Sequence, residues 1–295
     1  MVEAAPSEQR GLPVWLGVPF ELANPDVGGT HTDLPLEPVD VENDLGKGCP
    51  MSIGYDVRDR IAYISFERRE KHNAFRDEDL HALSEAIRRL DGDADADLAI
   101  LFGQGSSFSS GGDVSDRLQR SMDEGSTAGR TTERAAILEC EHWKPMIAAV
   151  HGYCLGHALA TALLCDHVVA ARGAKFQVTE TKIGLAMPGL IPQLGTTVFA
   201  YDVAMTGRMF TAEEAMAGGA LTRLAEDGEH MQVAEALARQ ILDNPQTAVR
   251  SLVQVRRAMI VEASERHKAA APAFDWATDR EAKVAVAALQ QGRKQ

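Results

Sequence analysis

The stretch from Lys144 to Gly189 constrains the fold more than any other part of the chain. It opens with an apolar run, Met146 to Val150, that has no polar position on either face. Such a run reads as a strand buried on both sides, as in parallel sheets covered by helices. Gly152 and Gly156 mark a turn, and Ala160, Leu163 and Leu164 then fall on one face of a helix. A second apolar strand, His167 to Ala171, follows, and Ala174, Lys175 and Phe176 lead into a polar run ending at Glu180. The chain thus passes from a buried strand to a helix N-terminus. The first N–H groups of a helix lack intrahelical partners and lie at the positive end of its dipole. A site of that kind can stabilise an oxyanion.

The same alternation runs through the flanking sequence. Ile61 to Phe66 reads as a strand apolar on both faces. Leu80, Leu83, Ile87 and Leu90 form a helical stripe within Asp77 to Leu90, and Leu98 to Phe102 is another buried strand. Strands alternating with helices imply βαβ units and an α/β fold. Between Gly103 and Gly112 lies a loop of glycine and serine with one phenylalanine. Further on, Thr211 and Glu214 have capping-box spacing, and Gly218-Gly219 ends that helix. Met231 to Leu242 and Gln246 to Ile260 read as amphipathic helices, and Val261 to Gln295 is Ala-rich and helical. Residues 1–50 differ in texture. They hold Pro6, Pro13, Pro19, Pro25, Pro35 and Pro38, with Pro50 closing the segment, and sustain no periodic pattern. Three parts are therefore expected: an irregular N-terminal extension (1–50), an α/β core (51–210) and a C-terminal helical region (211–295). The extension reads either as a wrap over the surface or as a tail.

With 295 residues, 45% of them hydrophobic, the chain can bury a sizeable core. A net charge of −13 argues against nucleic acid or an anionic membrane as partner. Cys49, Cys140, Cys154 and Cys165 have neither CxxC nor zinc spacing, which favours a reducing, cytoplasmic setting. His31 and Asp33 alone make too few ligands for a metal, so no metal site is expected. No apolar run reaches the roughly 20 residues that span a bilayer.

Lys144-Pro145, Ile147 to Val150, Gly152, Gly156, Cys165-Asp166, Ala174, Phe176, Glu180, Gly184 and Pro188-Gly189 match one pattern in order and spacing. That pattern resembles the crotonase (enoyl-CoA hydratase/isomerase) superfamily, over about residues 52 to 260. The resemblance implies a crotonase-like ββα spiral core with a C-terminal helical oligomerisation region. It also implies a homotrimer or homohexamer acting on an acyl-CoA thioester, with coenzyme A as part of the substrate and no separate cofactor.

The family holds the thioester oxygen between two backbone N–H groups. By resemblance these belong to Ser110, in Phe108-Ser109-Ser110-Gly111-Gly112-Asp113, and to His157, in Gly156-His157-Ala158. Two glutamates serve the family's hydratases. The place of the first is taken by Ala160, and the second matches Glu180, with Thr179 where the family has proline. Glu180 is therefore the expected acid/base. His151 and His157 are further candidates, since an imidazole titrates near neutrality and could restore the missing function, although a hydrogen-bonded structural histidine is the more common case for each. Arg69, Lys71, Asn73 and Ala74 match the segment that receives the CoA arm, with Arg68 nearby; a basic turn is also an ordinary solvated surface.

One carboxylate suffices to move a proton between two carbons of an enoyl thioester, so an isomerase or a hydratase-like lyase is expected. Two alternatives stay open: a carbon–carbon bond hydrolase acting on a β-diketone that is not a CoA ester, and a non-catalytic oligomeric scaffold.

Overall fold

The computed structural model describes residues 52–113, 142–184, 188–270 and 280–292. The extension at 1–50, with His31 and Asp33, lies outside the described residues, as do Cys49 and Cys140.

Six strands form the main sheet: β1 (Ile53–Arg58), β2 (Ile61–Phe66), β3 (Leu98–Gly103), β4 (Met146–Val150), β6 (His167–Ala171) and β9 (Arg223–Ala225). Their order is β1-β2-β3-β4-β6-β9. β1 and β2 pair antiparallel as a hairpin, and the remaining neighbours are parallel. A smaller sheet has the order β5-β7-β8, from β5 (Tyr153–Leu155), β7 (Lys175–Gln177) and β8 (Met209–Thr211). The two-sided apolar runs of β2 and β4 are explained by helices on both faces of the main sheet. Ala62, Ile64, Phe66, Met146, Ala148 and Val150 join a core with Leu83, Ile87 and Leu90 of α1 (Asp77–Gly92) and with Leu159 and Leu163 of α2 (His157–Leu164). Ile61, Tyr63, Ile147 and Ala149 point the other way, onto Ala234, Leu237 and Ala238. These last belong to α5 (His230–Leu242), which follows α3 (Thr197–Thr206) and α4 (Ala212–Gly218).

The chain then continues as α6 (Gln246–Ala270) and α7 (Arg280–Gly292). β9 completes the main sheet and α5 covers one of its faces, so the α/β core extends past residue 210. The helix foreseen to end at Ile260 runs on to Ala270, because nothing after Ile260 breaks it.

Two residues of the Lys144–Gly189 pattern prove to be structural. The Lys144 ammonium donates to the carbonyls of Leu90 and Asp93, closing the end of α1 at 2.7 and 2.5 Å. Asp166 accepts the Met146 N–H at 2.8 Å, fixing the start of β4. Arg256 of α6 donates to the Leu163 and Leu164 carbonyls, so a cation caps the negative end of α2.

Candidate active site

The site is built where the 103–112 loop, the start of α2 and the turn at Glu180 converge. The loop is tied down by a buried amide. The Asn73 side-chain nitrogen donates to the carbonyls of Gln104, Ser107 and Phe108 at 2.9, 2.8 and 3.2 Å, and Asn73 is 1% exposed. Ser109 returns a hydrogen bond to the Asn73 carbonyl at 2.7 Å. On the other flank, Phe108 and Ser109 donate to the carbonyls of His151 and Tyr153. Gly111 has φ +88° and sits so close to β5 that a Cβ there would stand 2.5 Å from the Leu155 carbonyl oxygen and 3.6 Å from the His157 nitrogen. Only glycine tolerates both the positive φ and that approach. The loop therefore abuts the first residue of α2.

Gly156 precedes that residue, with φ +53° and its N–H donated to the Gln177 carbonyl at 2.9 Å. A Cβ at Gly156 would collide with the Thr179 hydroxyl and stand 3.0 Å from Glu180 Oε1. The glycine thus brings the Glu180 carboxyl against the N-terminal end of α2. Glu180 is 7% exposed, and its second oxygen, Oε2, is buried with no hydrogen-bond partner among the described residues. Burial pushes the carboxyl above the ordinary glutamate range, and hydrogen bonds from the Glu180 and Thr179 N–H groups and the Thr179 hydroxyl partly oppose this. The short helical turn Glu180–Ile183 is itself pinned: Thr181 donates to the Ala204 carbonyl of α3 at 2.6 Å, and Ala282 of α7 packs on Gly184. Ala160, four residues after Gly156, is buried and carries no ionisable group.

The structure brings together Glu180, His157 and the Ser110 loop. The His157 ring meets Phe75 edge to face at 5.9 Å, on the loop side of the helix start. Three expectations need correction. The Ser110 N–H, foreseen as an oxyanion donor, is donated to the His72 carbonyl at 2.9 Å. His151 lies apart from Glu180, because its position continues the parity of Ile147 and Ala149 and places it on the α5 face. There its Nε2 is 3.0 Å from the Gly105 carbonyl oxygen, and its ring stacks on His230 at 4.5 Å. The Asn73 side chain is not a ligand for a cofactor arm, since its amide nitrogen is committed to the loop.

Arg69 and Lys71 remain exposed on the rim, with Ala74 half-buried behind them. Arg68 is structural. It donates to the Ala74 carbonyl at 2.6 Å and pairs with Asp79 and Asp113, at 3.3 and 3.4 Å. Among the described residues no cluster of three metal-ligating side chains occurs. Thr179, noted in the sequence only as a departure from proline, has its hydroxyl beside Gly156, as Glu180 has its Oε1.

This geometry is that of a fold with known relatives. A family model described as enoyl-CoA hydratase/isomerase matches residues 56–284. The chain is 32% identical over 214 residues to an (E)-benzylidenesuccinyl-CoA hydratase from Thauera aromatica, covering 69% of this chain and 81% of the relative. It is 31% identical over 200 residues to a carnitinyl-CoA dehydratase from Salmonella heidelberg, covering 64% and 74%. An enoyl-CoA hydratase/isomerase structure from Xanthobacter autotrophicus Py2 superposes with a TM-score of 0.71 at 25% identity, covering 81% of this chain and 93% of that one. The chain belongs to the enoyl-CoA hydratase/isomerase family, with the crotonase fold, and is a hydratase/isomerase-like acyl-CoA enzyme.

Proposed function

We propose that the protein moves a double bond within an enoyl-CoA by way of an enolate, with Glu180 as the carboxylate acid/base. The observation that carries this reading is the buried Glu180 carboxyl at the N-terminal end of α2, with Oε1 beside Gly156 and Oε2 without a hydrogen-bond partner among the described residues. In a 3-enoyl thioester the Glu180 carboxylate takes a proton from C2. The electron pair delocalises over the diene and onto the thioester oxygen. A proton is then delivered from Glu180 to C4, giving the 2-enoyl thioester and restoring the carboxylate.

The developing oxyanion is met by the His157 N–H at the positive end of α2. Removing one such donor costs about 10²–10³ in rate. Arg69 and Lys71 on the rim offer cations to the CoA phosphates, with the Ala74 backbone beside them. No cofactor beyond the CoA carried by the substrate is required by this chemistry.

Ala160 at the place of the first glutamate puts no carboxylate there to orient water, which favours isomerisation over hydration. The relatives that bear hydratase and dehydratase names support the acyl-CoA substrate class. A homotrimeric or homohexameric assembly fits the exposed apolar side chains of α3 and α6, among them Val198, Met205, Leu252 and Met259. A cytoplasmic location fits the free buried thiols of Cys154 and Cys165. It also fits the lack, among the described residues, of a helix long and apolar enough to cross a membrane.

The test is a side-by-side assay of 3-enoyl-CoA isomerisation and 2-enoyl-CoA hydration. Isomerisation should be the faster, and Ala160→Glu should gain hydration. Parent hydration outrunning isomerisation would overturn the reading.

A further inference from the structure

We propose that Arg256 is a positioning residue for the reaction: from α6, its guanidinium grips the last two carbonyls of α2 and so sets the His157 N–H, at the other end of that helix, against the thioester oxygen. The inference rests on the reading that this N–H meets the developing oxyanion. The last four carbonyls of a helix have no intrahelical partner. In α2 these belong to Thr161, Ala162, Leu163 and Leu164. Thr161 accepts from the Cys165 thiol at 3.5 Å, and Ala162 from the Cys165 N–H at 3.2 Å. Leu163 and Leu164 accept from Arg256, through Nη2 at 2.9 Å and Nη1 at 3.1 Å. One rigid fork thus spans two successive carbonyls, which the single nitrogen of a lysine does not reproduce. The Asp166 carboxyl stands 3.6 Å from the same guanidinium and accepts the Met146 N–H, so the fork is tied to the start of β4 as well.

Leu159 and Leu163 seat α2 in the core, but Ala158, Ala160 and Ala162 present only methyl groups, which give little relief against sliding along the axis. Polar clamps at the two ends supply that hold. At the start, the Gly156 N–H is donated to the Gln177 carbonyl at 2.9 Å, and at the finish stands Arg256. With eight residues α2 is only about 12 Å long, so a slip at one end is a slip at the other. A displacement of about 1 Å at a reacting group can cost about 10²-fold in rate. The C-terminal helix α6 is thereby part of the reacting unit.

The test reads the thioester carbonyl itself. Butanoyl-CoA labelled with 13C at that carbonyl is bound to the parent, to Arg256→Met and to Arg256→Lys, and its stretching band is recorded by isotope-edited infrared spectroscopy. N–H donation polarises the carbonyl, so the parent should move the band to lower frequency than in free solution. In Arg256→Met the band should lie nearer its free position, and kcat for a 3-enoyl-CoA should fall about 10–10²-fold with KM within about twofold of the parent. Arg256→Lys, which keeps the cation but not the fork, should fall between the two, and it carries the comparison if the methionine variant does not fold. Lys144→Met is the control, since Lys144 grips carbonyls at the end of α1 in the same manner and α1 holds no residue of the proposed chemistry. It should lower the melting temperature yet leave band and kcat at parent values. A parent-like band and kcat in the folded Arg256 variants, or an equal loss in Lys144→Met, overturns the inference. An unshifted band for the ligand bound to the parent overturns the placement of the oxygen at His157, and the inference with it, so the two failures are distinguishable.

Discussion

The two faces of the main sheet each hold titratable side chains near the ends of their strands, and they treat them in opposite ways. On the α2 face, Glu180 is buried with one oxygen beside Gly156 and the other without a hydrogen-bond partner among the described residues, and burial raises its carboxyl. On the α5 face, His151 is fixed by a bond to Gly105, and its ring stacks on His230. Burial, and then the neighbouring His151, push His230 down to about 4, partly offset by Asp227. Both faces disfavour charge. The first sets a carboxyl against the N-terminal end of α2, whereas the second sets two imidazoles against each other at the start of α5. A perturbed group becomes a functional candidate through what it faces, not through the perturbation alone.

The largest expected effect breaks the first face. Glu180→Gln keeps shape but cannot take a proton, so kcat should fall by about 10²–10⁴ with KM little changed. The same variant should be more stable than the parent near neutral pH. The folded state holds the Glu180 proton more tightly than the unfolded chain. Between the ordinary glutamate value and the raised folded value, the parent therefore loses stability as pH rises. Denaturant midpoints across pH 4 to 8 would show the parent curve falling below that of the variant.

Gly156→Ala comes next. Its φ of +53° disfavours a side chain, and the new methyl would displace Thr179 and Glu180. A stability loss of about 1–3 kcal/mol for the strained backbone is expected, with at least a tenfold drop in kcat/KM. Asn73→Ala should cost about 1–3 kcal/mol by leaving buried carbonyls without their donor, and thermal unfolding would register it.

The smallest effects should come from the second face. His151→Gln should leave kcat within about threefold of the parent, in an assay where Glu180→Gln is nearly dead. His230 is neutral in the fold down to about pH 4, but in the unfolded chain it protonates near 6.5. The parent should therefore lose stability as pH falls through that window, and His230→Gln should lose less.

Much of the fold is legible from composition along the chain. β2, β4 and β6 are largely apolar runs, and their bounds fall where the sequence places them. The strands β5, β7, β8 and β9 are three residues each, too short to show any period, and they appear only once their partners are in place. Glu180 is legible because a matching pattern surrounds it. His151 shows where local reading stops. Its shared parity with Ile147 and Ala149 is plain in the sequence, but which helix covers that side of β4 depends on residues 80 positions away. The Ser110 N–H and the Asn73 amide illustrate the same limit. Whether a donor is open or committed depends on the turn at His72 and Asn73, where both residues take positive φ. That Thr179 and Glu180 both lie against Gly156 is likewise visible only in space.

The most direct measurement of the central claim is exchange of the α-protons of an acyl-CoA in D2O, followed by NMR or mass spectrometry. It reads enolate formation without needing the natural acyl group. The parent should incorporate deuterium at C2 of a 3-enoyl-CoA and of the product, His151→Gln should do so at nearly the same rate, and Glu180→Gln should not. Exchange that persists in Glu180→Gln and vanishes in His151→Gln would contradict the assignment of the chemistry to the α2 face.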